Sequence, residues 1–331
     1  MAYEKRTLVD DETVVDKELL DHMQDGILAN EAAISAMQGK SISILFIGNS
    51  LTQDTVSYLP YVLKQRSPDL NFRICYWGVG GHNLKKYYDN FFVPDVTVGG
   101  GSSCVCRIAE NTTTWTALSV TMKTLLSRYK FDIVVLQEYY TDRAATNYPT
   151  SSTPEDFNNC ARYISENHSE GIIFGTLFNA AEHSDNAELF ERRYNIVKTG
   201  VQMHLRESCA SFILPAGIAM YRAGLDTTLK LLGDQGYLQA DYTHAQEGLP
   251  SLMEAEVAAG KIYELLGLPY GFIGSPIRMT ADLASKLTIG PNGTAIPGTE
   301  EENKIAQTMV ERALKECRRM EIDALNYWDE T

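Results

Sequence analysis

Two short stretches of this 331-residue chain carry side chains that can do chemistry together. Ser50 closes the run Ser43-Ile44-Leu45-Phe46-Ile47-Gly48-Asn49-Ser50, and Asp241-Tyr242-Thr243-His244 follows far downstream. A serine hydroxyl is nearly inert at neutral pH. It becomes a nucleophile when an imidazole within hydrogen-bond reach takes its proton and when donors receive the oxyanion formed on an acyl carbon. Among His22, His82, His168, His183, His204 and His244, only His244 has an aspartate three residues before it. Asp241 can hold the Nδ1 proton and leave Nε2 for the serine. Each half also has an ordinary reading. Asn-Ser after a strand is a common helix cap, and Asp241 or Thr243 can cap a helix starting near Leu249.

Gly78-Val79-Gly80-Gly81-His82-Asn83-Leu84 follows a second apolar run. Successive glycines let backbone N–H groups approach a ligand oxygen, so this loop reads either as an oxyanion donor or as a tight strand-to-helix turn. A dinucleotide fingerprint fails, because the third glycine that G-x-G-x-x-G requires is missing from this loop. Val134-Val135-Leu136-Gln137-Glu138 turns polar abruptly: Gln137 offers an amide donor, whereas Glu138 only accepts unless protonated. A strand that has run into solvent would look the same. Cys104-Val105-Cys106 lacks both the spacing of a zinc ribbon and a second pair. All six cysteines (75, 104, 106, 160, 209 and 317) read as reduced thiols, and the chemistry calls for no metal and no organic cofactor.

To bring Ser50 and His244 together, the chain needs a scaffold with several strand ends at one edge. From residue 41, short β-branched runs alternate with longer helical stretches, the pattern of βαβ units around a parallel sheet. Strands are predicted at Ser43–Ile47, Asn71–Trp77, Asp132–Gln137, Gly171–Phe178 and Ser211–Leu214, each apolar enough to be buried on both faces. Helices are predicted at Val56–Gln65, Thr114–Arg128, Pro154–Asn167, Asn186–Glu207 and Leu249–Leu266, with 89–113 an irregular excursion. Residues 1–40 are charged and helical in pattern, an appendage. After 267 the chain is punctuated by Pro and Gly, then helical over about Glu300–Met320. The expected division is therefore 1–40 appendage, 41–267 α/β domain and 268–331 helical extension packed on that domain.

With 44% hydrophobic and 22% charged residues the chain has material for a large core, and its net charge of −14 argues against nucleic acid or an anionic membrane as partner. No run of about 20 apolar residues occurs, and the charged N-terminus does not suit a signal peptide, so a cytoplasmic protein is expected.

Phe46-Ile47-Gly48-Asn49-Ser50-Leu51-Thr52, Gly78–Leu84, Val134-Val135-Leu136-Gln137 and Asp241-x-x-His244 together, in this order, resemble the blocks of SGNH/GDSL hydrolases, with the uncharacterised DUF4886 branch the nearest match. The resemblance spans about 41–267. It implies a three-layer α/β/α, flavodoxin-like domain with a five-stranded parallel sheet that hydrolyses esters through an acyl-serine. By motif position Ser50 is nucleophile and oxyanion donor, Gly81 the second donor, and Asp241 and His244 the remaining triad members. The family's Gly-x-Asn-Asp block is missing. Gln137 is favoured as third donor, and Thr141, at the position of the family's Asn, is the alternative. The implied substrate is a small-molecule or glycan ester, acetyl in particular. Leu19-Leu20-Asp21-His22-Met23-Gln24-Asp25-Gly26-Ile27 resembles the start of phage tail and baseplate proteins. That points to a virion-associated, non-catalytic glycan-binding protein as the competing reading, and to homo-oligomerisation through the N-terminal segment.

Overall fold

Apolar runs buried on both faces form the centre of the computed structural model, which describes residues 40–99, 104–138, 153–168, 171–231, 239, 244–268, 278–280 and 295–326. In chain order the elements are β1 (Ser41–Gly48), α1 (Ser50–Val56), α2 (Leu59–Arg66), β2 (Asn71–Val79), α3 (Leu84–Tyr87), β3 (Cys104–Glu110), β4 (Thr116–Leu118), α4 (Met122–Arg128) and β5 (Ile133–Leu136). They continue with α5 (Pro154–Asn167), β6 (Ile173–Leu177), α6 (Ala187–Glu207), β7 (Phe212–Leu214), α7 (Ala216–Gly224), α8 (Leu249–Leu265) and α9 (Glu300–Asn326).

β2, β1, β5, β6 and β7 lie side by side and parallel in that order, the doubly wound, flavodoxin-like arrangement. The predicted sheet of five parallel strands needs one correction, because among the described residues it has seven strands. β3 pairs antiparallel with β2, and β4 antiparallel with β3. β3 falls in the predicted irregular excursion. Its pattern was masked by Arg107, which stands opposite Tyr76 in the register while Cys106 and Ile108 are buried. β4 replaces the start of the predicted helix Thr114–Arg128. The β-branched and aromatic stretch Thr112-Thr113-Thr114-Trp115-Thr116 favours extended backbone, and the helix begins only where the Thr121 hydroxyl accepts from the Thr124 N–H at 3.1 Å.

Alternation along β1 sends Ile42, Ile44 and Phe46 into one core and Leu45 and Ile47 into the other. α1, α2, α6, α7, α8 and α9 pack in the first core, and α3, α4 and α5 in the second, giving three layers. The predicted helix Val56–Gln65 is two helices. α1 starts six residues earlier than that, and α2 restarts with Pro60 in its first turn, where the missing N–H costs nothing. α7, which the sequence reading did not identify, is almost wholly buried.

α9 lies against α6, α7, α8 and β7 with Ala306, Met309, Val310, Ala313, Leu314, Cys317 and Met320 buried, an apolar stripe at helical spacing. Glu316 accepts from Tyr194 Oη at 2.7 Å and from Arg222. Glu321 accepts from the Ile213 N–H and from Lys261 Nζ, both at 2.7 Å. The predicted appendage, residues 1–40, lies outside the described residues except for Lys40, whose ammonium donates to the Leu266 carbonyl. Among the described residues no helix is long and apolar enough to cross a membrane, and the six cysteines are free thiols.

His204 of α6 is fully buried, with its ring against Phe157, and burial pushes its pKa down to about 4 from 6.5. The folded state therefore resists a proton that the unfolded chain accepts. Stability is fully present above pH 6.5 and is lost as pH falls towards 4, by about 3 kcal/mol at 1.4 kcal/mol per unit. His204→Leu should unfold with a shallower acid dependence in urea titrations between pH 7 and 4. Parallel pH profiles for the two proteins would contradict this account.

Candidate active site

In a doubly wound sheet, ligands bind beyond the carboxyl ends of the strands where the winding reverses, here between β1 and β5. Ser50 leaves β1 at that point and Gln137 leaves β5 beside it. The turn between β1 and α1 is braced on every side. Asn49 caps α1, its Oδ1 accepting from the Leu51 N–H at 3.0 Å. Its own N–H donates to Gln137 Oε1 at 2.9 Å, and its carbonyl accepts from Tyr76 Oη at 2.9 Å. Thr52 Oγ1 also donates to Gln137 Oε1, at 2.9 Å. Glycine is required at 48, because a Cβ there would fall on the Thr52 hydroxyl and the Gln137 amide oxygen. Ser50 itself is half-buried, so its hydroxyl can meet both a base and a substrate.

His244 lies beyond β7, between α7 and α8. His244 Nε2 lies 2.7 Å from Ser50 Oγ, across 194 residues of sequence. Gln239 and Ala245 form an antiparallel bridge. Gln239 Nε2 donates to the Ala181 carbonyl after β6, and the Ala245 N–H donates to Asp54 Oδ2 at 3.1 Å. Asp241 and Thr141 lie outside the described residues. Among the described residues no group of three or more His, Cys, Asp or Glu side chains is placed to hold a metal ion.

Asn49 Nδ2 donates to the His82 carbonyl at 3.2 Å, which latches the glycine loop to the serine turn. Gly81 is exposed, with φ +67°, a conformation that favours glycine. Ser50 is the first residue of its helix, so its N–H has no intrahelical acceptor. Neither it nor the Gly81 N–H has a hydrogen-bond acceptor among the described residues. The Gln137 amide is placed differently. It is fully buried, its oxygen must face the Asn49 N–H, and its Nε2 donates to the Glu138 carbonyl at 2.8 Å. Glu138 is buried too and accepts from the Leu84 N–H, at the start of α3. His82 stands at the rim, Nδ1 3.0 Å from the Gly80 carbonyl and its ring edge-on to Phe91.

No family model matches the chain, and no curated protein matches it. Among solved structures it is similar to a DUF4886 family protein from Bacteroides uniformis, with a TM-score of 0.58 and 17% identity over 83% of this chain and 95% of that one. It is also matched to a variant of Axe2, an acetyl xylan esterase from Geobacillus stearothermophilus, with a TM-score of 0.42 and 11% identity over 71% of this chain and 99% of that one. The first is a likeness of fold; the second is too distant to add to it.

Three acids that the sequence reading left out, Glu247, Glu254 and Glu256, are buried on or just before α8, and each takes a partner from α1, α2 or the residues between them. Tyr58 Oη donates to Glu247 at 2.8 Å, and Arg66 forms a two-point pair with Glu256 at 2.8 and 2.9 Å. Thr55 Oγ1 lies 2.9 Å from Glu254 Oε2 and 3.2 Å from the Leu51 carbonyl, and it has one proton for two acceptors. A protonated Glu254 resolves this by donating to Thr55, which then donates to Leu51. Burial does push this carboxyl up, to about 8 from 4.5. Such a group contributes stability that is complete below pH 4.5 and lost as pH rises through 8, on the order of 5 kcal/mol. Glu254→Gln should match the wild type near pH 4.5 in chemical denaturation and exceed its stability increasingly up to pH 9. A variant that is less stable at pH 9 would show that the ionised form is the one the fold requires.

Proposed function

We propose that the chain is a serine ester hydrolase of the SGNH/GDSL kind, acting on short acyl esters and in particular on acetyl groups of carbohydrate. The observation that carries this reading is the 2.7 Å contact between Ser50 Oγ and His244 Nε2 at the winding reversal of the sheet. In this reading Nε2 takes the Ser50 proton as Oγ bonds to the ester carbonyl carbon. The carbonyl electron pair moves onto oxygen, and the N–H groups of Ser50 and Gly81 receive it. Collapse re-forms the carbonyl and expels the alkoxide, which leaves with the proton from His244. Water then repeats the sequence on the acyl-serine, releasing the acid and restoring Ser50.

Asp241 is assigned to the Nδ1 side of His244. Gln137 braces the serine turn in this reading rather than lining the oxyanion hole, since no substrate atom can reach a side chain with no exposed surface. Thr141 stays as the candidate third donor. A short acyl group suits a protein whose described residues form no lipid-docking patch. Among the described residues the exposed large apolar side chains are Val93 and Val96 in one segment, and Ile173, Leu225 and Ile322 on three others.

With p-nitrophenyl acetate, Ser50→Ala and His244→Ala should each lower kcat/KM by about a thousandfold or more with unchanged folding. Acetyl esters of oligosaccharides should be cleaved in preference to C8 esters. Retained activity in Ser50→Ala would remove the nucleophile assignment, and equal cleavage of C2 and C8 esters would remove the acetyl assignment. An inert wild type would favour the glycan-binding reading.

A further inference from the structure

Asp54 is 3% exposed, and a carboxylate so buried is costly unless hydrogen bonds satisfy it. It sits four residues after Ser50 in α1, one turn along the same helix face. Its Oδ2 accepts the N–H of Ala245, the residue that follows His244, at 3.1 Å. The Tyr76 phenol that holds the Asn49 carbonyl is near enough for the Asp54 charge to oppose its ionisation. Two further ties among the described residues lead away from α1: the bridge joins Ala245 to Gln239, and Gln239 is held by Ala181 after β6. Asp54 connects the loop carrying the base directly to the helix carrying the nucleophile.

We infer that Asp54 is a positioning residue that sets the separation of Ser50 Oγ and His244 Nε2, acting through the Ala245 N–H and without touching substrate. The inference rests on the esterase reading. A 2.7 Å contact between groups on two separate elements is lost by a displacement of about 1 Å, and such misplacement can cost about a hundredfold in rate. The atom that matters is the Oδ acceptor. Asn retains it in the same shape, and Ser is too short to bring an acceptor to Ala245.

The test measures kcat and KM for p-nitrophenyl acetate in the full chain for the wild type, Asp54→Asn and Asp54→Ser, with thermal midpoints alongside. Asp54→Asn should keep kcat within about threefold, while Asp54→Ser should lose about a hundredfold in kcat with KM within about twofold. A folded Asp54→Ser with wild-type kcat overturns the inference. So does an Asp54→Asn whose kcat falls a hundredfold, since that would assign the effect to charge. If Asp54→Ser does not fold, Asp54→Glu replaces it: its extra methylene displaces the acceptor, and it should lose kcat at least tenfold, wild-type kcat again overturning the inference. A wild type inactive towards the ester overturns the esterase reading and this inference with it. An active wild type with an indifferent Asp54→Ser overturns this inference alone.

Discussion

The turn Gly48-Asn49-Ser50 has to hold a hydroxyl within 2.7 Å of an imidazole 194 residues away, and the polar groups buried around it are arranged to that end. A backbone turn at a strand end has orphan donors and acceptors that water cannot reach once helices cover the sheet. Here the Asn49 N–H goes to Gln137, the Asn49 carbonyl goes to Tyr76, and the Leu51 N–H goes to the Asn49 side chain. Each bond comes from a different element: β5, β2 and the turn itself. The serine is therefore located by the sheet, and sites carried on such rigid supports keep their geometry better than sites on loops alone.

The histidine lacks that advantage, since its loop follows the last strand. The chain compensates with contacts from both directions, Gln239 to the end of β6 and Ala245 to Asp54 in α1. α8, which follows directly, docks against α1 and α2 through Glu247, Glu254 and Glu256. Buried acids are expensive, and hydrophobic packing alone would give more stability. What they add is registration, because a hydrogen bond fails at displacements that apolar contacts tolerate.

The parallel strands were legible because each is a short apolar run between breakers, and the order of the motif blocks placed Ser50, Gly81 and Gln137 near one sheet edge before any coordinates. β3 and β4 were not legible, because edge strands exposed on one side mix Arg107 and threonines into their pattern. Asp54, Thr52 and Thr55 were missed for a related reason. The helix was predicted to start at Val56, so Ser50 to Thr55 lay outside it and the one-turn spacing of Ser50 and Asp54 was not visible. Gln137 was singled out by its amide type, and the hydrogen bonds that this amide makes within the fold were not visible in the sequence. Its type suggested a donor, and the structure adds that it is buried with its oxygen on the Asn49 N–H.

The central claim is that Ser50 is a nucleophile activated by His244. Its most direct test is incubation of the full chain with a fluorophosphonate, followed by peptide mapping by mass spectrometry, for the wild type and for His244→Ala. The account predicts a single phosphonate adduct on the peptide containing Ser50 in the wild type, and labelling slowed at least a hundredfold in the variant. No adduct, an adduct on another residue, or labelling at the same rate without His244 would contradict it.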